Sequence, residues 1–195
     1  MTPDERRSQL LDVGRDVFST NDFETVSMTD IADAAGVTRA LVYHYFPTKA
    51  DLFAGIWARE HTTLRATDTG ETARDRIVAL LTAYLDFYAD NLPLLLIANR
   101  SSIASSPTVR QPIQQNFADM CTALLDGVGA TGNKRRLAEA AFVGWIAYVR
   151  ETTLLALESG AITPAENLAM CIDALDGTVG KLVDLTTPDS SRRAP

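Results

Sequence analysis

The stretch GVTRALVYHYFPTK, Gly36 to Lys49, carries Tyr43, His44, Tyr45 and Phe46 in a row. Two rings suffice to pack a short helix, so the others must face something else. The flanking residues frame a pair of short helices. Ser27 is followed three residues later by Asp30, the spacing of a capping box that opens a helix. That helix runs from Thr29 to Ala35, and Gly36 ends it because glycine reaches the positive φ of a tight C-terminal cap. The second runs from Arg39, with Thr38 as its cap, to about Phe46, where Pro47 stops it. Thr48 and Asp51 repeat the capping spacing and open a longer helix through Phe53, Ile56, Trp57, Ala58 and Leu64. Two short helices about a glycine turn make a helix-turn-helix.

On a helical wheel of about 100° per residue, Val42 and Phe46 fall together and face the core. Ala40 and His44 fall opposite, with Leu41, Tyr43 and Tyr45 on the flanks. A face that needed only solubility would carry lysine and glutamate. This one offers small, apolar and hydrogen-bonding groups, and no acid stands between Gly36 and Ala50. Such a face suits the DNA major groove. Ala40 and Leu41 can approach thymine methyls, and Arg39 or His44 can donate to guanine O6 or N7. Thr38, Tyr43, Tyr45 and Lys49 are candidates for phosphates, which position a protein without reading sequence. Lys49 also lies at a helix N-terminus, where backbone N–H groups favour an anion. Thr29, opening the preceding helix, completes the candidate DNA-binding set. The competing reading is a helix packed on another subunit, with the aromatics as interface.

Composition narrows the classes. The 195 residues are 46% hydrophobic and 22% charged, ordinary globular values that allow one domain or two small ones without a disulfide or metal staple. A net charge of -7 excludes a uniformly basic nucleic-acid binder. Residues 1–60 hold six Lys/Arg and ten Asp/Glu, so binding must rely on a charge-segregated face with a modest salt slope. Cys121 and Cys171 sit inside apolar helical patterns and read as reduced core residues. The N-terminus lacks an apolar signal core, and the longest apolar run, LPLLLIA, is too short to span a bilayer. A soluble cytoplasmic protein without membrane attachment is expected.

No stretch alternates with the period of a strand, whereas helical periodicity recurs throughout, so the fold class is all-α with about nine helices. Ile77, Leu80, Leu81, Tyr84, Leu85 and Tyr88 trace a strongly amphipathic helix. A shorter helix lies between Pro93 and Pro107, another runs from Pro107 to Leu125, and two long ones span Lys134–Glu158 and Pro164 to about Leu185. The tail TTPDSSRRAP has no apolar content and reads as unstructured.

The segment FETVSMTDIADAAGVTRALVYHYFPTKADLF resembles the DNA-binding domain of TetR-family transcriptional regulators, through a T-x-x-I-A-x-x-A-G-V helix and turn, a recognition helix ending in YHYF, and a following x-x-K-x-x-L. The resemblance covers residues 6 to about 57. Val42 stands where leucine is commoner, a conservative departure. Leu41, where a polar residue is frequent, bears on sequence preference. The resemblance implies a DNA-binding domain over 1–50 and a helical effector-binding and dimerisation domain over 51–187, ahead of the 188–195 tail that composition marks as disordered. It implies a homodimer, a palindromic operator, repression as the default, and release by a small-molecule effector.

For dimerisation the last two long helices are the candidates. Leu137, Ala141, Gly144, Trp145, Tyr148, Val149, Thr152 and Leu155 form one stripe, and Leu168, Cys171, Ile172, Leu175, Val179 and Leu182 another; an intrasubunit core is the alternative. The candidate effector pocket mixes aromatic and polar residues: Trp57 and His61 on the linking helix, Tyr84, Phe87 and Tyr88, then Asn99 and Arg100, Phe117 and Met120, and Trp145 and Tyr148. Together they fit a mainly apolar or aromatic effector, with Arg100 available to a carboxylate. No HExxH, ExxH pair, GxSxG or P-loop occurs and His44 and His61 are the only histidines, so no catalytic residue, metal site or cofactor is assigned. A helical adaptor that never touches DNA is the other functional class.

Overall fold

The structure is a computed structural model and describes residues 1–65 and 69–188. Among those residues it is all-α, with nine α-helices: α1 (Pro3–Thr20), α2 (Met28–Ala35), α3 (Arg39–Tyr45), α4 (Lys49–Arg65), α5 (Ala73–Asp90), α6 (Leu92–Arg100), α7 (Pro107–Gly127), α8 (Gly132–Ser159) and α9 (Pro164–Gly177). A 3₁₀ turn at Val179–Lys181 follows, and an isolated antiparallel bridge joins Thr72 to Pro188.

Side-chain caps fix where the first helices begin. The Ser27 amide donates to Asp30 at 2.7 Å, and the Asp30 amide donates back to the Ser27 hydroxyl at 3.2 Å. Thr48 and Asp51 repeat this at 2.9 and 3.1 Å. Each box satisfies amides that a helix start would leave orphaned, worth roughly 1 kcal/mol. Gly36 sits at φ 64°, ψ 35°. Its N–H donates to the Asp33 carbonyl at 3.1 Å and that of Val37 to Ala32 at 3.0 Å, the Schellman pattern that closes α2.

The chain divides into two compact units, the first Met1–Thr63 with Asp90–Gln114, the second Leu64–Ala89 with Gln115–Pro195. The first unit includes α4 as far as Thr63. Leu52, Phe53, Ile56 and Trp57 of α4 are buried in the first unit. Gly14 of α1 lets α4 approach so closely that a Cβ there would stand 3.0 Å from Ile56 and 3.2 Å from Leu52. Phe18, Phe23 and Phe53 join at ring separations of 5.6 to 6.2 Å. Helix α6 packs on α1, and Arg15 donates to the Asn91 side chain at 3.0 Å. Ala58 is exposed; the inward stripe of α4 runs 52, 53, 56, 57, 61.

In the second unit Ile77, Leu81 and Leu85 of α5 meet Leu124 and Leu125 of α7, Phe142, Trp145 and Val149 of α8, and Cys171 and Leu175 of α9. Helix α9 stops at Gly177 instead of continuing to Leu185. The Thr178 hydroxyl donates to the Ala174 carbonyl at 2.5 Å, and its backbone leaves the helical region at φ -116°, ψ -83°. Glycines at 177 and 180 lower the helix preference there. The chain then turns back: Leu185 is buried, its carbonyl accepts from the Arg74 amide at 2.9 Å, and the Arg74 guanidinium forks onto Asp176 at 2.8 and 2.9 Å. Most of the 188–195 tail lies outside the described residues.

Helix α8 passes the length and composition test for crossing a membrane, although only one third of its apolar stretch is buried inside the chain. The expected dimer stripe on α8 splits into two faces about 100° apart. Trp145 and Val149 belong to the core, whereas Leu137, Gly144, Tyr148 and Leu155 face outward.

Candidate nucleic-acid interface

Helix α3 is held by its ends and by two buried side chains. The Leu41 amide donates to the Thr38 hydroxyl at 3.3 Å, and the Phe46 amide closes the other end on the Val42 carbonyl at 2.9 Å. Val42 is fully buried and Phe46 only 2% exposed, so one valine and one ring anchor the helix. Ala40 and His44 are exposed, Leu41 and Tyr45 half-buried, and Tyr43 is 37% exposed. The row of rings therefore divides as the wheel requires. Thr29, Thr38 and Arg39 are exposed too, on α2 and around the turn.

The outward side chains are partly organised already. Arg39 donates to the Tyr43 hydroxyl at 3.2 Å, its guanidinium 5.1 Å from the ring centre. The pair presents a cation braced on an aromatic platform one helical turn along. His44 meets Tyr45 edge-on at 5.3 Å.

Lys49 departs from expectation. Its ammonium turns inward, donating to the carbonyls of Phe23 and, at 2.6 Å, Val26, and lies 4.2 Å from the Phe23 ring centre. Burial lowers its pKa from the ordinary lysine value, opposed by the charges of Glu24 and Asp30. Placed so, the side chain ties the α1–α2 loop to the start of α4. Sequence reasoning also missed a neighbour. Gln9 on α1 donates to the Ala35 carbonyl at 3.4 Å, and Arg6 donates to Gln9 at 2.6 Å, which brings a cation to the edge of the turn. That adjacency crosses between helices and leaves no local sequence signal.

Several acids of the first unit are held in caps or ion pairs. Asp30 and Asp51 serve capping boxes, Asp12 pairs with Arg59 at 2.8 Å, and Glu60 lies 3.5 Å from Arg15. Hydrogen bonds from Ser27 hold the Asp30 carboxyl below its usual range.

The effector candidates fall in both units. In the first, Trp57 stacks on His61 at 4.4 Å, and the His61 Nδ1 lies 2.9 Å from the Trp57 carbonyl, so that nitrogen carries the proton. Burial pulls the His61 pKa down to about 4. Asn99 donates to the Leu95 carbonyl at 2.8 Å, and Arg100 is exposed. In the second, Tyr84 and Phe87 are half-buried around a fully buried Tyr88, at 4.6 Å from Tyr84 and 4.9 Å from Phe87. Phe117 is half-buried on α7, and Met120 packs against the second unit's core. Two further candidates lie on α8. Trp145 is a satisfied core residue, its indole N–H donating to the Cys171 carbonyl at 2.7 Å beside Phe142. Tyr148 is 37% exposed on the outer face of α8. Among the described residues no group of three or more His, Cys, Asp or Glu is placed to hold a metal.

An all-α chain with a capped helix-turn-helix near its N-terminus is the architecture of a helical DNA-binding regulator. Residues 10–56 match the family described as bacterial regulatory proteins, tetR family. A stretch of 89 residues is 34% identical to the transcriptional activator FasR of Mycolicibacterium smegmatis, covering 43% of this chain and 41% of that protein. The chain thus spans less than half the length of that relative. A tetR-family transcriptional regulator from Streptomyces coelicolor superposes with a TM-score of 0.74 at 28% identity, over 93% of this chain and 88% of that one. The regulator FadR of Bacillus subtilis, solved with stearoyl-CoA, has the same fold, with a TM-score of 0.66 at 17% identity over 92% of this chain and 99% of that one. The N-terminal helix-turn-helix is thus of the TetR-family type.

Proposed function

We propose that this chain is a homodimeric, ligand-responsive transcriptional regulator, by family default a repressor, acting in the cytoplasm without catalysis. The observation that carries the reading is the outward face of α3: exposed Ala40, His44 and Tyr43 and the braced Arg39 on a helix fixed by Val42 and Phe46. Each protomer inserts this face into a major groove, and the dimer spaces the two helices by about 34–36 Å, one turn of DNA. Arg39 and His44 read base edges, Ala40 and Leu41 meet thymine methyls, and Thr29, Thr38, Tyr43 and Tyr45 position the helix on phosphates. With Lys49 turned inward, the cation Arg6 and the backbone amides at the start of α4 are left for the phosphate backbone.

Dimerisation uses the outward face of α8, where Leu137, Gly144, Tyr148 and Leu155 lie, together with α9. The effector is small and mainly apolar or aromatic, taken up by the second unit through the half-buried Tyr84, Phe87 and Phe117. A stearoyl-CoA complex of the FadR neighbour, of the same fold, is in keeping with an apolar ligand. Effector binding favours a conformer with another helix spacing, and reciprocity requires DNA to weaken effector binding by the same factor.

The test is selection of bound sequences from fragmented genomic DNA, followed by fluorescence anisotropy on the recovered site at two salt concentrations. Nanomolar, salt-sensitive binding that random DNA competes poorly is expected. A purified chain that recovers no preferred sequence defeats the reading and favours a helical adaptor. A reporter carrying the site then gives the sign of regulation.

A further inference from the structure

We propose that Glu24 is a positioning residue: it couples the loop after α6 to the placement of the recognition helix. The inference rests on the DNA-binding reading above and adds a residue to it.

The α1–α2 loop is a compact bead held from two sides. Internally, the Thr25 and Val26 amides donate to the Asp22 carbonyl at 3.1 and 3.3 Å, and the Thr25 hydroxyl does so at 2.9 Å. From one side Lys49, the first residue of α4, grips the carbonyls of Phe23 and Val26. Lys49 follows the buried anchor Phe46 by three residues, so a shift of this bead is passed to the end of α3. From the other side the Ser102 amide donates to the Glu24 carboxylate at 3.0 Å. Glu24 lies between the two carbonyls that Lys49 grips, and its charge also acts on that ammonium.

The Ser102 segment is itself well formed. The Ala104 amide donates to the Ser101 carbonyl at 3.1 Å, the Ser106 amide to Ile103 at 2.9 Å, and the Ser101 hydroxyl to Ile97 at 2.6 Å. It joins α6, which packs on α1, to α7, whose later residues belong to the second unit. Anything that displaces the start of α7 pulls on this segment through the chain. Glu24 is exposed, and water competes for its carboxylate, so the bond persists only while the two loops keep their distance. A weak, distance-dependent bond between two ordered loops reports displacement, whereas a strong buried one would resist it.

The bond can be cut from either end without disturbing either loop. Ser102 is the second residue of the Ser101–Ala104 turn, a position proline favours, and Ser101 before it is extended at φ -80°, ψ 173°, as a residue preceding proline requires. Ser102→Pro therefore removes the amide donor together with the hydroxyl that also bonds Glu24, and Glu24→Ala removes the acceptor of both. With the full chain and the selected operator, each change is expected to weaken binding about three- to tenfold, and the double variant no further, since both delete one contact. Glu24→Gln, which keeps an acceptor oxygen, restores most of the affinity. Hydrogen exchange over residues 101–106 slows when operator DNA binds the wild type and does not slow in Glu24→Ala. Unchanged or tighter operator binding by the single variants, or effects that multiply in the double, overturns the coupling while the DNA-binding reading stands. A wild-type chain without a preferred sequence removes the reading and the coupling with it.

Discussion

Lys49 and His61 bracket α4 and lead to opposite kinds of experiment. Lys49 looks like a phosphate contact in sequence, one residue into a helix beside the recognition helix. In the fold its ammonium satisfies two loop carbonyls and lies against Phe23. Lys49→Met keeps the aliphatic stem and removes the charge. Urea unfolding should then show a loss of about 1–2 kcal/mol, the worth of charge-assisted bonds and a cation–π contact at a half-buried site. The salt slope of DNA binding should hold; a drop of about one unit would mean that the ammonium reaches a phosphate after all. His61 acts through pH. Its pKa falls from 6.5 to about 4 on folding because burial disfavours the charged imidazolium. The unfolded chain therefore takes up a proton first as pH falls through 6.5, and stability is lost between there and about 4. At pH 5 the loss from this group is about 2 kcal/mol. His61→Gln should flatten that part of the stability curve; an unchanged slope between pH 7 and 5 would show that the ring is hydrated.

At the scale of elements, the α2–turn–α3 unit was the most legible part of the chain, because its signals are local. The Ser27–Asp30 box, the Gly36 cap, the Thr38 cap and the Pro47 stop each act within four residues of where they stand. Gly36→Ala tests the most constrained of them. No atom lies within 4 Å of a Cβ at Gly36, so its only penalty is backbone strain at φ +64°. A fall in stability of about 1 kcal/mol is expected, with less for Gly36→Asn, since asparagine tolerates the left-handed region better. Equal stability in thermal melts would contradict the left-handed cap. Comparable boxes stand at Thr2–Glu5, Thr72–Asp75 and Thr163–Glu166, with the same local spacing in the sequence. What local pattern cannot supply is which of two adjacent helical faces turns inward. Trp145 and Tyr148 sit three residues apart in one apolar stripe. Only the packing of α9, whose Cys171 carbonyl takes the Trp145 N–H, sends the first inward and leaves the second out. The same limit explains Lys49, whose partners lie more than twenty residues upstream.

At the scale of the whole molecule, the outer face of α8 decides whether the recognition helices work in pairs. Leu155 is 57% exposed, and Leu137 and Tyr148 lie open as well. A helix this apolar on its outer side is expected to find cover. Gly144 stands in the middle of that face, with no atom within 4 Å of a Cβ added there. A glycine in a helix interior costs about 1 kcal/mol relative to alanine, so nothing within the subunit favours it. A second helix approaching closely is the physical reason to keep it. Gly144→Arg separates the two settings. Inside one chain the arginine has open space and better helix propensity, so the monomer should unfold at equal or higher denaturant concentration. Between two chains it places a charged side chain where the backbones must meet, so sedimentation should show the dimer giving way to monomer. DNA binding should fall steeply with it, because one half-site contact then replaces two and the second recognition helix is no longer held at a high effective concentration. A Gly144→Arg protein that sediments as a dimer and keeps its operator affinity would move the interface off α8, and with it the geometry proposed for release.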